Sequence, residues 1–119
     1  MKTKKAKLRG KADHLLQEII RQEHQACECC NKPISCGHHF FTKGSCSALR
    51  YNFDNIIPVC ASCHLKFHSK FSSEMIGETI ERRGIEWFNK LKVKRRTLEV
   101  KTGIGYYNEI IKELSAKIN

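Results

Sequence analysis

Acidic charge is scarce in this sequence. Asp and Glu together number 12 against 22 Lys and Arg, for a formal net charge of +10. Bulky aromatics are scarce as well, with six Phe and one Trp available for a core. The middle of the chain, 27 to 63, is rich in Cys, Gly, Ser and Asn, too polar to bury the apolar surface that unaided folding needs, so a covalent or metal staple is expected there. No run approaches the ~20 apolar residues of a membrane span. Nor is the basic start followed by an export core: Leu15, Leu16, Ile19 and Ile20 are interrupted by Gln17 and Glu18 and make an amphipathic stripe. Seven cysteines are an odd number, which argues against a closed disulfide framework. These absences place the chain in a reducing cytoplasm, where paired cysteines usually signify metal. At 119 residues one domain is expected, with no internal repeat and no low-complexity linker.

What is abundant is positive charge in clusters. Lys2, Lys4, Lys5, Lys7, Arg9 and Lys11 precede the first acid, Asp13, and a second group runs through Lys90, Lys92, Lys94, Arg95, Arg96 and Lys101. Such clusters attract polyanions, nucleic acid first among them, through counterion release. Residues 1 to 10 read as a disordered basic arm. From Lys11 to about Gln25 the doublets Leu15–Leu16 and Ile19–Ile20, four apart, predict a helix. Short strands are expected at His38 to Thr42 and at Ile56 to Val59, with a turn at Asp54-Asn55 between them. A helix from Ala61 to about Lys70 carries His64 and His68. The rest, 72 to 119, reads as a helical extension: a helix capped by Ser72 or Ser73 that stops near Gly84, a successor with Ile85, Trp87, Phe88 and Leu91, and a final amphipathic helix from Tyr106 to Ile118. Trp87 and Phe88 read as core rather than as base-stacking groups. Arg50 reads equally as a phosphate contact or a solvated loop arginine.

Cys27-x2-Cys30 and Cys60-x2-Cys63 are two knuckles, each able to grip one face of a tetrahedral zinc ion with thiolates. Cys29 can in principle compete with Cys27 or Cys30, but only the latter two give the two-residue gap. Cys29, Cys36 and Cys46 have no partner at ligand spacing and read as bystanders. The segment between the knuckles is longer than in simple zinc ribbons and must hold something else.

Four of the six histidines lie in it or just beyond it. His38-His39 lies between the knuckles with Asp54-Asn55, and His64-x3-His68 begins just past the second knuckle. Two histidines four apart on a helix can face one ion. The spacing is shared with His-Glu-x-x-His proteases, but Leu65 stands where their general base would be, which removes that chemistry.

This whole pattern resembles the His-Asn-His (HNH) nucleases, also called ββα-metal nucleases, over residues 27 to 68. The order, with sixteen positions from His39 to Asn55 and nine from Asn55 to His64, is similar to that of nuclease-type colicins. A narrower resemblance, to the lambdoid phage recombination proteins called NinG or Rap, rests on the run Leu49-Arg50-Tyr51-Asn52-Phe53-Asp54-Asn55-Ile56, on Glu86-Trp87-Phe88 and on the Tyr-rich final helix. Those proteins are associated with branched DNA intermediates, in a bacterial or phage-infected host cytoplasm.

The resemblance implies an α+β fold. A ββα-metal core over 27–70, braced by a four-cysteine zinc site, would sit between an N-terminal helix and the helical C-terminal region. It implies a metal-dependent DNA endonuclease leaving a 5′ phosphate. His39 would be the general base and Asn55 would orient it through the backbone. His38, His64 and His68 would hold a catalytic divalent ion (Mg, Mn, Ni, Co or Zn), with open positions for substrate. Arg50, Lys92, Lys94, Arg95 and Arg96 are the expected DNA contacts. DNA is the expected partner, with no membrane and no organic cofactor. A zinc-stabilised DNA-binding module that does not cut is the alternative, and it would have no need of His39 or Asn55. RNA is a weaker choice of substrate.

Overall fold

The computed structural model describes residues 2–44 and 47–118. Helix α1 (Lys4–Glu23) opens the chain and lies along a two-stranded antiparallel sheet, β1 (Cys36–His39) and β2 (Ile56–Val59). Helices α2 (Ala61–Phe67), α3 (Ser72–Arg83), α4 (Ile85–Thr97) and α5 (Ile104–Ser115) follow. The architecture is α+β, with five helices and one two-stranded sheet among the described residues. No helix among them is long and apolar enough to cross a membrane.

The basic N-terminal segment, expected as a disordered arm, is instead the start of α1. The Thr3 hydroxyl accepts from the Ala6 N–H at 3.1 Å, satisfying one of the free donors of the first turn. Half-buried Leu8 extends backwards the apolar stripe of Ala12, Leu16 and Ile19, which gives the charged turns a face to lie on. Position 71 likewise differs from expectation. α3 starts without a serine cap, because Ser72 is already helical and Phe71 takes the cap position. Its end at Gly84 is as expected, with a φ of 98° that favours glycine.

β2 is buried along its whole length because both sheet faces are covered. Ile57 and Val59, two apart, share a core with Phe40, Leu49, Phe67, Met75 and Leu91. Ile56 points the other way, into a second core with Leu16, Ile19, Ile20 and Leu114, where α1 meets α5. In register, His38 pairs with Ile57 and His39 with Ile56. Opposed residues share a face, so the two neighbouring histidines are sent to opposite sides of the sheet.

Contact between α1 and β1 depends on Gly37. A Cβ there would stand 2.5 Å from Ile56 Cγ2 and 3.3 Å from Ile20. The closeness lets the Gln17 amide replace a neighbouring strand: its Oε1 accepts from the Gly37 N–H at 2.7 Å and its Nε2 donates to the Gly37 carbonyl at 3.0 Å. The outer edge of β1 is thereby hydrogen-bonded by a helix side chain.

Candidate functional site

Among the described residues, two groups of side chains have the geometry to hold a metal ion. In the first, one ligand atom from each of Cys27, Cys30, Cys60 and Cys63 lies within 4.8 Å of the others. Cys30 Sγ and Cys60 Sγ are 3.5 Å apart, close to the ~3.8 Å edge of a tetrahedron with ~2.3 Å zinc–sulfur bonds. The knuckle at 27–32 turns on Asn31, whose N–H donates to the Cys27 carbonyl at 2.9 Å and whose positive φ of 64° turns the chain that follows back, so that the Lys32 carbonyl accepts from the Cys27 N–H. Cys60 caps α2, where the Cys63 N–H donates to its sulfur at 3.4 Å and the helix N-terminus favours a thiolate. Backbone bonds from Glu28 to the Pro58 carbonyl and from Ser35 to the Val59 carbonyl hold the first knuckle along β2. The expectation of a four-cysteine metal site is met in this sense: the four sulfurs converge, and the donor set suits a structural ion. Cys29 stays outside the group, its sulfur beside the Arg82 guanidinium. Cys46 lies outside the described residues.

The second group is His38, His64 and His68, again with ring nitrogens within 4.8 Å of one another. His38 stacks on Phe67 with ring centroids 4.2 Å apart, which fixes its plane. His64 and His68 bring their Nε2 atoms to 3.2 Å, near the ~3.3 Å separation of two nitrogens bound at ~2.0 Å to one tetrahedral ion. His68 reaches this point from the C-cap of α2, one residue past the helix. Burial, followed by the neighbouring His64, His68 and His39, pushes the His38 imidazole down to about 3. Burial and then His68 also lower His64. Both rings are therefore neutral at pH 7, as ligands must be.

His39 occupies the other face. Its Nε2 is 2.9 Å from the Arg50 carbonyl. A carbonyl only accepts, so this nitrogen carries the proton and Nδ1 is the ring's acceptor. Burial lowers the His39 pKa against the raising effect of that hydrogen bond, so the ring is a free base at neutral pH.

The three-histidine cluster and His39 open onto one cleft of about 350 Å³, whose lining includes His38, His39, His64 and His68 together with Arg21 and Lys43. Three of its lining residues carry no signal of that place in the sequence. Gln17 and Arg21 enter from α1. Cys36, expected as a bystander, places its sulfur 3.3 Å from His64 Nδ1. A histidine ligand that binds through one nitrogen has its other N–H free to donate to a neighbouring acceptor, and here the Cys36 sulfur is within reach.

Asn55 is fully buried, and its hydrogen bonds go to residues other than His39. Its carbonyl accepts from the Phe40 N–H at 2.8 Å and its Oδ1 from the Phe41 N–H at 2.8 Å, while Nδ2 donates to the Phe41 and Leu49 carbonyls. It thus clamps the residues that follow His39 to the turn that carries Arg50. The orienting carbonyl comes from Arg50.

The Arg50 side chain is correspondingly not a free cation. It is paired with Asp13 through two hydrogen bonds and is largely buried, not the solvated loop arginine that the sequence also allows. On α4, Lys92 lies over Phe88 at 4.7 Å and Arg95 over Phe41 at 4.6 Å, next to the Thr42–Lys43 lip of the cleft. Lys94 pairs with Asp54 at 2.7 Å, and Arg96 is exposed. Trp87 and Phe88 pack half-buried against the larger core, as expected.

No protein-family model, curated protein or solved structure matches this chain. Its class therefore rests on its own residues.

Proposed function

We propose that the chain is a metal-dependent DNA endonuclease of the His-Asn-His kind, with β1, β2 and α2 as its ββα core. One observation carries the reading: a free-base histidine with a fixed tautomer shares a single cleft with a three-imidazole cluster, on a chain of charge +10. Phosphodiester hydrolysis needs those parts together. His39 Nδ1 accepts a proton from a water molecule as its oxygen forms a bond to phosphorus, and the bond from phosphorus to the 3′ oxygen breaks. A divalent ion held by His38, His64 and His68 would supply Lewis-acid stabilisation to the phosphate and the departing oxygen. Arg21 and Lys43 at the cleft wall attract the phosphate backbone, and the cations of α1 and α4 extend that attraction outward. The four-cysteine site would take zinc and keep the hairpin and α2 in register. Branched or recombination intermediates are the proposed substrates, on the strength of the narrower resemblance.

The alternative, a module that binds DNA without cutting, is decided by a cleavage assay. Supercoiled plasmid and linear, flapped and four-way substrates are incubated with the protein across Mg, Mn, Ni, Co and Zn. Nicking that needs a divalent ion is expected. His68→Ala, which loses one nitrogen of three, should recover part of its rate in excess metal. Tight DNA binding without any cutting under all ions would establish the silent module.

A further inference from the structure

The residues around His39 reach well beyond its hydrogen bond. The Arg50 carbonyl that accepts the hydrogen bond from His39 Nε2–H belongs to a residue whose side chain is held from a different part of the chain. Arg50 Nε donates to Asp13 Oδ1 at 2.8 Å and Nη2 donates to Oδ2, a bidentate pair that fixes both position and plane. The Tyr51 hydroxyl donates to the same carboxylate at 2.9 Å. Asp13 sits on α1 one turn before Gln17, whose amide holds β1 at Gly37. Neighbouring turns of one helix therefore hold both sides of the histidine: the strand it sits on and the loop it donates to. Burial raises the Asp13 pKa, but the Arg50 and Tyr51 hydrogen bonds outweigh it and hold the carboxyl below its ordinary range, so the anion persists at neutral pH.

We propose that Asp13 is a positioning residue for His39: through the bidentate Arg50 pair it fixes the carbonyl that sets which His39 nitrogen carries the proton. The inference rests on the nuclease reading only for its catalytic consequence; the tautomer stands without it. The arrangement is the one by which a ligand or base histidine is commonly oriented from behind, with a main-chain carbonyl as the receiving group. What is particular here is that the carbonyl lies in a loop, and the loop is tied by a charge from α1.

The test uses the full chain as purified, labelled with ¹⁵N at histidine, with the His39 ring signals assigned by their disappearance in His39→Ala. The wild-type ring is expected as a single tautomer protonated at Nε2. Asp13→Asn keeps the side-chain size and removes the charge. It should move His39 toward a mixture of tautomers and lower plasmid nicking by roughly 10- to 100-fold, the usual effect of losing an orienting partner. Metal content should stay that of wild type. Tyr51→Phe leaves the Arg50 pair intact and should keep the wild-type tautomer. An unchanged tautomer in Asp13→Asn would overturn the proposal. So would an equal shift in Tyr51→Phe, which would trace the effect to general loosening of α1. If the tautomer shifts as expected but wild type cuts no DNA, the positioning stands and the nuclease reading falls.

Discussion

Asn55 shows how much a single buried amide can carry. Its side-chain hydrogen bonds go to main-chain groups of Phe41 and Leu49, on the two sides of the loop that returns β1 toward β2. Truncating it takes the partner from the Phe41 N–H and carbonyl, at ~1–3 kcal/mol each, while the Leu49 carbonyl keeps the Asn52 N–H at 3.2 Å. Asn55→Ala should therefore cost about 2–6 kcal/mol in total, read as a fall in the urea midpoint. A loss well under 1 kcal/mol would mean the clamp is not structural. Gly37 carries a comparable burden for a different reason, since it lacks the Cβ that would meet Ile56. Neither role is written in the residue type alone. The position of Asn55 is legible from its spacing to His39 and His64, but its partners depend on how the loop closes.

At the scale of elements, the two cysteine knuckles join a turn before β1 to the end of β2 and the start of α2. These are short elements: two strands of four residues and a helix of seven. Strands and a helix of that length have little stability of their own. One tightly held zinc per chain is therefore expected, and Cys60→Ser should lose it and unfold the segment from about residue 27 to 68. Metal analysis finding no zinc in protein purified without chelator would contradict this. The knuckles, the convergence of His64 and His68, and the stop at Gly84 are legible in sequence because each rests on local spacing. The contributions of α1 are not. Gln17 meets Gly37 across 20 positions and Asp13 meets Arg50 across 37, and such contacts leave no periodic trace. Cys36 is hidden for the same reason: it meets His64 across 28 positions, outside any ligand spacing. The basic start declares its charge in sequence, while Thr3 and Leu8 decide its helical form.

For the whole molecule, the questions are where charge sits and what the cleft does with it. The longest extent is 38 Å, about one turn of B-DNA. Lys4, Lys5 and Lys7 on the first turns of α1 and Arg95 and Arg96 at the end of α4 are exposed, whereas Arg50 is already paired with Asp13 and Lys94 with Asp54. Replacing Lys4, Lys5 and Lys7 with Gln should weaken DNA binding alike for all sequences. It should also flatten the dependence of log K on log salt by ~0.9 for each phosphate that is no longer neutralised. An unchanged slope would take α1 out of the interface. The claim on which the rest depends is that His39 activates water in this cleft. The direct measurement is the nicking of supercoiled plasmid by wild type and His39→Ala over one titration of divalent ion, with zinc content and DNA affinity matched. Metal-dependent nicking by wild type is expected, with the variant slower by roughly 10²- to 10⁴-fold and not restored by any excess of metal. Nicking by His39→Ala at the wild-type rate would contradict it.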